Sequence, residues 1–181
     1  EQTGPVRMLL HSEFLVKSDR TALIPLADGT LNEWLAERLA SYVCDFVNDA
    51  YDSEKPSSNI ALLIPFGDRT SHPVAERLWD FMAVKAKAVI RLANIDRKQN
   101  LTIGSAQLIS VSVRPELARL IYEETHSRSC LLDLSYDGDR DARRALRELG
   151  CGEIHDQDLI AAIAEHAAAN AENTQWMWAC W

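Results

Sequence analysis

The longest regular pattern in this sequence is helical and starts at residue 30. Thr30 and Glu33 have the spacing of a capping box, in which a hydroxyl and a carboxylate satisfy the first free amides of a helix. Apolar residues then recur every three or four positions as far as Ala50. The pattern predicts an amphipathic helix whose inward stripe is Leu31, Leu35, Leu39, Val43 and Phe46, with Trp34 and Tyr42 alongside.

Segments typical of β-strands precede and follow this helix. Residues 6–16 alternate between apolar and polar side chains, which predicts a half-buried strand. Short apolar runs predict further strands or extended segments at 60–64, 88–92, 102–113 and 131–136, with a hairpin-like connection over 96–100. The strand signals are therefore concentrated in the first two thirds of the chain.

Four more helices are predicted from end signals and apolar spacing. Pro73 and Pro115 stand where a first-turn proline belongs, Gly150 has the place of a left-handed C-terminal cap for a helix over 139–149, and Asp156 caps the last helix. The inward residues predicted for these helices are Val74, Leu78, Phe81 and Met82; Leu117, Leu120 and Ile121; Ala142, Leu146 and Leu149; and Leu159, Ile160 and Ile163.

These elements predict a helix-rich α+β fold. We expect a small mixed sheet packed by amphipathic helices, followed by a more helical C-terminal part. Residues 1–58 would form a strand-corner-helix unit that ends in a polar linker, and residues 59–181 an α+β to helical unit. The chain starts at Glu1 rather than methionine and stops at an apolar helical face, so we expect a piece of a longer protein, truncated at the C-terminus.

Charge and cysteine usage exclude several classes of protein. The net charge of −8 argues against a general nucleic-acid binder and against a binder of anionic membranes. The sequence has no apolar run of membrane-spanning length and no signal-peptide pattern, and we expect a cytoplasmic protein. The four cysteines are scattered without a CxxC pair, which favours buried reduced thiols over a metal site.

The sequence contains no self-contained catalytic motif. The motifs GxSxG, GxxxxGK[ST] and GxGxxG are absent, and no nucleophile stands beside a recognisable base. The histidines show neither HxH nor HxxxH spacing, so no metal site is predicted: His11, His72, His126, His155 and His166.

A corner at Lys17-Ser18-Asp19-Arg20 is the first candidate functional feature. It ends an apolar strand-like run, and the guanidinium of Arg20 has a rigid fork of donors suited to phosphate or carboxylate. From physics alone, an ion pair of Arg20 with Asp19, Asp28 or Glu33 is the favoured interpretation, and a ligand contact is the alternative.

Two other segments are open to two interpretations. The run 139–148 is dense in charge, with possible i,i+4 pairs from Asp139 to Arg143 and from Arg144 to Glu148. It is typical of a solvated helix face, with an interaction surface as the alternative. The aromatic C-terminal segment would bind a partner or pack on sequence beyond the chain; its candidate interaction residues are Trp176, Met177, Trp178 and Trp181.

The order of these features resembles a known family. The corner and the capped helix are similar to the segment that follows the nucleotide-binding domain in sacsin-type, chaperone-like GHKL ATPases, relatives of heat shock protein 90. The resemblance extends to 61–66, to 145–163 and to the aromatic end, and so covers most of the chain. The corner departs from the family pattern by the inserted Asp19 and by Thr21 in place of an acid. The matching residues at the corner and helix are Phe14, Leu15, Ser18, Arg20, Asn32 and Trp34.

The resemblance implies a role for the corner. In this family a corner arginine reaches the γ-phosphate of ATP held by the preceding domain, and the role would fall to Arg20, with Lys17 a weaker candidate and Ser18 and Asp19 positioning the corner. ATP and Mg²⁺ belong to the longer protein, because the acidic base, DxGxG and lid motifs of the nucleotide pocket are missing here. The implied partners are that ATP-binding domain and downstream domains or protein clients.

Two other functions compete with this hypothesis. A non-catalytic protein-interaction module is favoured by the acidic composition, the charged run 139–148 and the aromatic end. A stand-alone enzyme such as a hydrolase is the third hypothesis, and the absence of a visible nucleophile–base pair argues against it.

Overall fold

The computed structural model describes residues 29–63, 73–97, 100–118 and 130–166. Short 3₁₀ helices lie at Ile60–Leu63 and Ile103–Ser105, and a helical turn lies at 115–118. The described part is helix-rich α+β, as predicted. The predicted strand at 6–16 lies outside it. The element order is α1 (Leu31–Asp49), α2 (Pro73–Val89), β1 (Arg91–Ala93), β2 (Asn100–Thr102), β3 (Gln107–Ile109), α3 (Leu134–Gly138), α4 (Arg140–Glu148), β4 (Gly152–Ile154) and α5 (Asp156–His166).

Helix α1 begins at the predicted cap. The backbone amide of Glu33 donates to Thr30 Oγ1 at 3.2 Å, and the Glu33 carboxylate accepts from the amide of Gly29 at 2.8 Å. The return bond thus reaches one residue further back than in the usual capping box. Gly29 has φ +78°, a left-handed conformation that glycine adopts without strain. Local side-chain chemistry therefore fixes where α1 starts.

The buried face of α1 differs from the predicted stripe. The prediction was wrong for Leu31 and Phe46, whose side chains are about half exposed. Ala36 and Ala40 on the core side let α1 lie close to α2, and Leu39 packs against the core as predicted. Several of the larger apolar side chains instead point away from the core. The buried residues of α1 are Asn32, Ala36, Ala40, Val43, Cys44 and Val47.

Helix α2 lies against α1 and leads into a hairpin. It starts at Pro73 as predicted, and Leu78 and Met82 face the core. Asn48 on α1 donates from Nδ2 to the carbonyl of Val89 and accepts from the amide of Arg91, both at 2.9 Å. One amide side chain therefore holds the end of α1 to the junction between α2 and β1.

The strands form two separate pairs. β1 and β2 are antiparallel, with Leu92 opposite Leu101, and they flank the connection predicted at 96–100. β3 and β4 are parallel, with Leu108 opposite Glu153, so the chain crosses from one to the other through α3 and α4. The described sheets are thus small and mixed.

Two predicted strands are helical instead. Residues 60–63 form a 3₁₀ helix, and Asn59 just before it donates from Nδ2 to the carbonyl of Val47 at 3.0 Å. Leu131 and Leu132 make only isolated strand bridges, after which Asp133 accepts from the amide of Ser135 at 2.9 Å and starts α3. Short apolar runs do not distinguish a strand from one buried helical turn, and here the neighbouring caps decide.

The last two described helices follow their end signals with two exceptions. Asp139 Oδ1 caps α4 by accepting from two backbone amides at 3.0 Å, and Gly150 has φ +76° at the end of α4. At α5, Asp158 rather than Asp156 accepts at the helix start, from the amide of His155 at 2.8 Å. Ile160 was predicted to face inward and is 66% exposed, whereas Leu159 is buried.

Two apolar cores fill the described part of the protein. The first joins α1, α2, β1 and α4, and residues on both sides of position 58 contribute to it. The second lies beside the parallel strand pair and α5. Representative members of the first core are Val43, Ile60, Met82, Leu92 and Leu146, and those of the second are Ile95, Ile109, Leu131, Ile154 and Leu159.

Candidate functional site

The corner predicted from the sequence lies outside the described residues. Lys17, Ser18, Asp19 and Arg20 precede the first described position, Gly29, so the structure does not test their roles. The aromatic residues at 176–181 also fall beyond the last described position, 166. What the structure adds is the stretch that follows the corner: Thr30 fixes the N-terminus of α1 ten residues after Arg20.

The described cysteines lack the character of nucleophiles. Burial raises the pKa of Cys44 and of Cys151 to about 12, so both remain thiols near neutral pH. Burial also raises the pKa of Cys130. Cys44 and Cys151 are buried free thiols, as expected from the sequence, whereas Cys130 is a free thiol that is only partly buried. Thiolate catalysis therefore has no support at these three positions.

The described ranges also lack other sites that would assign a function. They contain no group of three or more His, Cys, Asp and Glu residues placed to hold a metal ion. No helix within them combines the length and the hydropathy needed to cross a bilayer.

A buried ion network joins the parallel strand pair to α3 and α4. Arg143 donates from Nη1 to Asp137 Oδ1 at 3.1 Å, and from Nη2 to the carbonyl of Ile109 at 2.7 Å and to Glu153 Oε1. Arg147 closes the network with two bonds to Glu153, at 2.9 and 2.7 Å. The side chain of Arg143 is only 7% exposed. This helix face was expected to be solvated, and that prediction was wrong for Arg143.

The electrostatics of this network indicate a structural role. Burial raises the pKa of Asp137 to about 6, although the nearby Arg143 opposes the rise. The hydrogen bonds from Arg147 lower the pKa of Glu153. Asp137 Oδ1 also accepts from the amide of Ile109 at 3.2 Å, so the network holds β3, β4, α3 and α4 together, although Asp137 Oδ2 and Arg143 Nε are buried without a hydrogen-bond partner among the described residues.

One feature of the sequence points to this network. Arg143 stands next to Ala142 and three positions before Leu146, so it borders the apolar face of α4. Its partners were not predictable, because Asp137 and Glu153 come from separate elements. The expected i,i+4 pair with Asp139 is replaced by these contacts, and Asp139 caps α4 and accepts from Ser57 Oγ at 3.1 Å.

An exposed apolar stripe on α1 is the strongest candidate for a functional surface. We call Leu31, Trp34, Tyr42 and Phe46 the outer face; they are 50%, 51%, 68% and 55% exposed. Together with Arg38 they follow at three- or four-residue spacing and so form one side of the helix. The Arg38 guanidinium lies 5.4 Å from the centroid of the Trp34 ring, within cation–π range.

A groove between α1 and α2 adjoins the outer face. It has a volume of about 330 Å³ and an apolar part formed by Phe81 and Val84, the latter 74% exposed. The Arg77 guanidinium lies 4.7 Å from the Phe81 ring centroid and 2.9 Å from Glu33 Oε1. Four further residues complete the lining: Glu37, Ser41, Asp80 and Lys85.

The groove and the outer face form a continuous surface. Trp34, Glu37 and Ser41 follow one another along α1 at three- and four-residue spacing, so the groove edge meets the outer face at Trp34. The sequence predicted Trp34 and Tyr42 beside the apolar stripe of α1. It did not predict that these two side chains would be exposed to solvent.

Comparison of the chain with family models, with curated proteins and with solved structures found no match. The geometry and the sequence therefore carry the functional argument alone.

Proposed function

We propose that this chain is the middle region of a chaperone-like GHKL ATPase, which couples a preceding nucleotide-binding domain to downstream domains or clients. The observation that carries the proposal is the order of a Ser18-Asp19-Arg20 corner and a helix with a fixed start at Thr30. Further along, Leu149 and Gly150 end α4, and the acid-rich start of α5 follows, in the order that the family resemblance implies.

The described residues support a coupling role rather than independent chemistry. The thiols of Cys44 and Cys151 are buried and that of Cys130 is partly buried, and the described ranges offer no group of metal ligands. ATP and Mg²⁺ would be held by the preceding domain, where phosphoryl transfer takes place. Arg20 would place a fixed cation beside charge that develops on the transferred phosphoryl group, and a cation supplied by a second domain makes turnover depend on domain closure.

The test is Arg20→Ala in the longer ATPase that contains this chain. We expect nucleotide affinity to persist while turnover falls at least about tenfold, because the contact would act mainly in the transition state. Lys17→Ala should have a smaller effect, and Arg144→Ala on the exposed side of α4 serves as the control for loss of one positive charge. Unchanged turnover in Arg20→Ala would reject the role of the corner.

A protein-interaction module is the second candidate function, favoured by the exposed outer face. Its test is affinity purification of the longer protein from its own cells, with Trp34→Ala plus Phe46→Ala compared with wild type. Val111→Ala plus Ile160→Ala removes two exposed apolar residues elsewhere and is the matched control. A partner that is lost with the first pair and retained with the second supports this function, and a partner set unchanged by both argues against it.

A further inference from the structure

We infer that the outer face of α1 binds a basic amphipathic helix of a partner protein, with a lysine or arginine of that helix seated near Tyr42 and Phe46. This inference rests on the second candidate function and specifies the chemistry of the partner. It does not depend on the coupling of Arg20 to a nucleotide.

The acidic end of the outer face supplies the charge for this recognition. Tyr42, Asp45, Phe46 and Asp49 stand at positions i, i+3, i+4 and i+7, so two aromatic rings and two carboxylates share one side of α1. All four side chains are exposed. A cation there would meet both carboxylates and ring faces.

The C-terminus of α1 adds to the negative potential. The last turn of α1 contains no basic residue, so the partial negative charge of the terminal carbonyls is not offset within the helix. Over its whole length α1 contains Glu33, Glu37, Asp45 and Asp49 against a lone basic residue, Arg38. The helix thus has an excess of three negative charges.

The rest of the outer face supplies apolar contact for a helix. From Leu31 to Phe46 the face spans roughly 22 Å at the α-helical rise, which matches the contact length of four turns of a partner helix. Leu31 and Trp34 would receive the apolar stripe of that helix, and Phe81 and Val84 in the adjoining groove extend the apolar surface. A partner helix would therefore lay its apolar stripe along this face through anchors at i, i+3, i+4 and i+7.

Charge also distinguishes a basic partner from a second copy of this chain. Glu33 is paired with Arg77 of α2, so two α1 helices meeting through their outer faces would each bring an excess of two negative charges, from Glu37, Asp45 and Asp49 against Arg38. A lysine-rich amphipathic helix instead has charge complementary to α1, and association should be faster at low ionic strength. The observations therefore favour a basic helix over self-association.

The experiment uses the 181-residue chain and two synthetic helical peptides. Both peptides have leucine at i, i+3, i+4 and i+7 positions, and the remaining positions are lysine in one and glutamate in the other. Titration calorimetry at two salt concentrations gives affinity and salt dependence. We expect the lysine peptide to bind at least about tenfold more tightly than the glutamate peptide, and its affinity to fall with salt.

Paired variants locate the binding. Tyr42→Ala plus Phe46→Ala should weaken the lysine peptide about tenfold or more, and Asp45→Asn plus Asp49→Asn should weaken it and flatten its salt dependence. Asp156→Asn plus Glu165→Gln on α5 removes the same charge from exposed positions elsewhere and should leave affinity nearly unchanged. Circular dichroism of each variant verifies that the fold is retained.

Three results would overturn the inference. Equal weakening by the α5 pair would show non-specific attraction to an acidic protein. Equal binding of both peptides, lost in Phe46→Ala, would leave the outer face as a docking surface without charge preference, so the second candidate function would survive alone. Concentration-dependent self-association that Phe46→Ala abolishes, without peptide binding, would assign the face to a second copy of the chain.

Discussion

Arg143 on α4 and Asp137 on α3 form a largely buried ion pair, with 3.1 Å between Nη1 and Oδ1. The same guanidinium reaches the carbonyl of Ile109 on β3 and the carboxylate of Glu153 on β4. One side chain therefore joins the consecutive elements α3, α4 and β4 to β3, which lies well before them in the sequence. Because burial of a charge is costly unless it is paired, this network should be intolerant of the loss of one partner.

Arg143→Met should strongly destabilise the protein. The substitution keeps much of the side-chain volume but leaves Asp137 and Glu153 without their shared cation, which costs roughly 3 to 5 kcal/mol for a buried pair. Urea unfolding followed by circular dichroism measures the loss. Arg144→Met, on the exposed side of the same helix, should change the free energy of unfolding by about 0.5 kcal/mol or less.

A double variant separates charge from packing in this network. In Arg143→Met alone, the carboxylates of Asp137 and Glu153 both lose the Arg143 cation. Adding Asp137→Asn removes one of these carboxylates, so the double variant should be more stable than Arg143→Met alone. A double variant that is no more stable would mean that lost packing, rather than unpaired charge, dominates the effect of Arg143→Met.

The free energy of unfolding should change with pH as Asp137 gains or loses its proton. Its pKa of about 6 in the folded protein exceeds the ordinary value of 3.8, so the folded state holds this proton more tightly. The stabilising contribution of the protonated group is full below about pH 4 and is lost as the pH rises through about 6. Glu153 has the opposite effect. Because its pKa is lowered in the folded protein, its carboxylate stabilises the protein at neutral pH, and this contribution is lost as the solution becomes more acidic.

Asp137→Asn removes the titration and isolates this contribution. Between about pH 4 and pH 7 the free energy of unfolding of wild type should fall relative to that of the variant by roughly 1 to 2 kcal/mol, after allowance for solvent screening. Unfolding curves at four or five pH values measure this difference. Parallel pH profiles for the two proteins would contradict the assignment of a raised pKa to Asp137.

Features that depend on a few neighbouring residues were predictable from the sequence. The cap at Thr30, the proline start of α2 and the left-handed glycine at position 150 are each decided within one helical turn. Their hydrogen bonds and backbone angles follow from the chemistry of single side chains. The helix-rich α+β class follows from the same signals.

Features that depend on distant packing were not predictable. The side of α1 that becomes buried is decided by how closely α2 approaches, and the close approach selects Ala36 and Ala40 over Leu31 and Phe46. Likewise, residues 131–136 have an apolar strand-like pattern, but Asp133 caps a short helix there. The periodicity of one segment carries no information about the surface that will meet it.

The candidate sites divide in the same way. The role of Arg20 was predicted from the sequence and from a family resemblance, and it stays a prediction because Arg20 lies outside the described residues. The outer face was not predictable, because the same residues were expected to form core contacts. The outer face was identified from the solvent exposure of Trp34 and Tyr42 in the structure, which the spacing of apolar residues in the sequence does not predict.

The cap at Thr30 should contribute measurably to stability. Thr30→Ala removes the acceptor for the amide of Glu33 and should cost about 1 kcal/mol, or roughly 2 to 4 °C in melting temperature for a chain of this size. Thr30→Ser keeps the hydroxyl and should retain most of the stability. Differential scanning calorimetry compares the three proteins, and equal melting temperatures for Thr30→Ala and wild type would show that the cap does not limit unfolding.

Gly150 should resist substitution because of its backbone rather than its surroundings. Its φ of +76° is unfavourable for residues with a Cβ, and alanine there should cost about 1 to 2 kcal/mol. A Cβ would lie 3.1 Å from Lys87 Nζ and 3.2 Å from Lys87 Cε, atoms at the flexible end of a side chain that shifts at small cost. Asparagine tolerates this conformation better, so Gly150→Asn should lose less stability than Gly150→Ala.

The matched control is Gly138→Ala at the end of α3, where a Cβ would have no neighbour within 4 Å and the substitution should be neutral or slightly stabilising. Chemical unfolding of the three variants measures these differences, and equal losses for Gly150→Ala and Gly150→Asn would assign the cost to crowding at Lys87 instead of to the left-handed backbone.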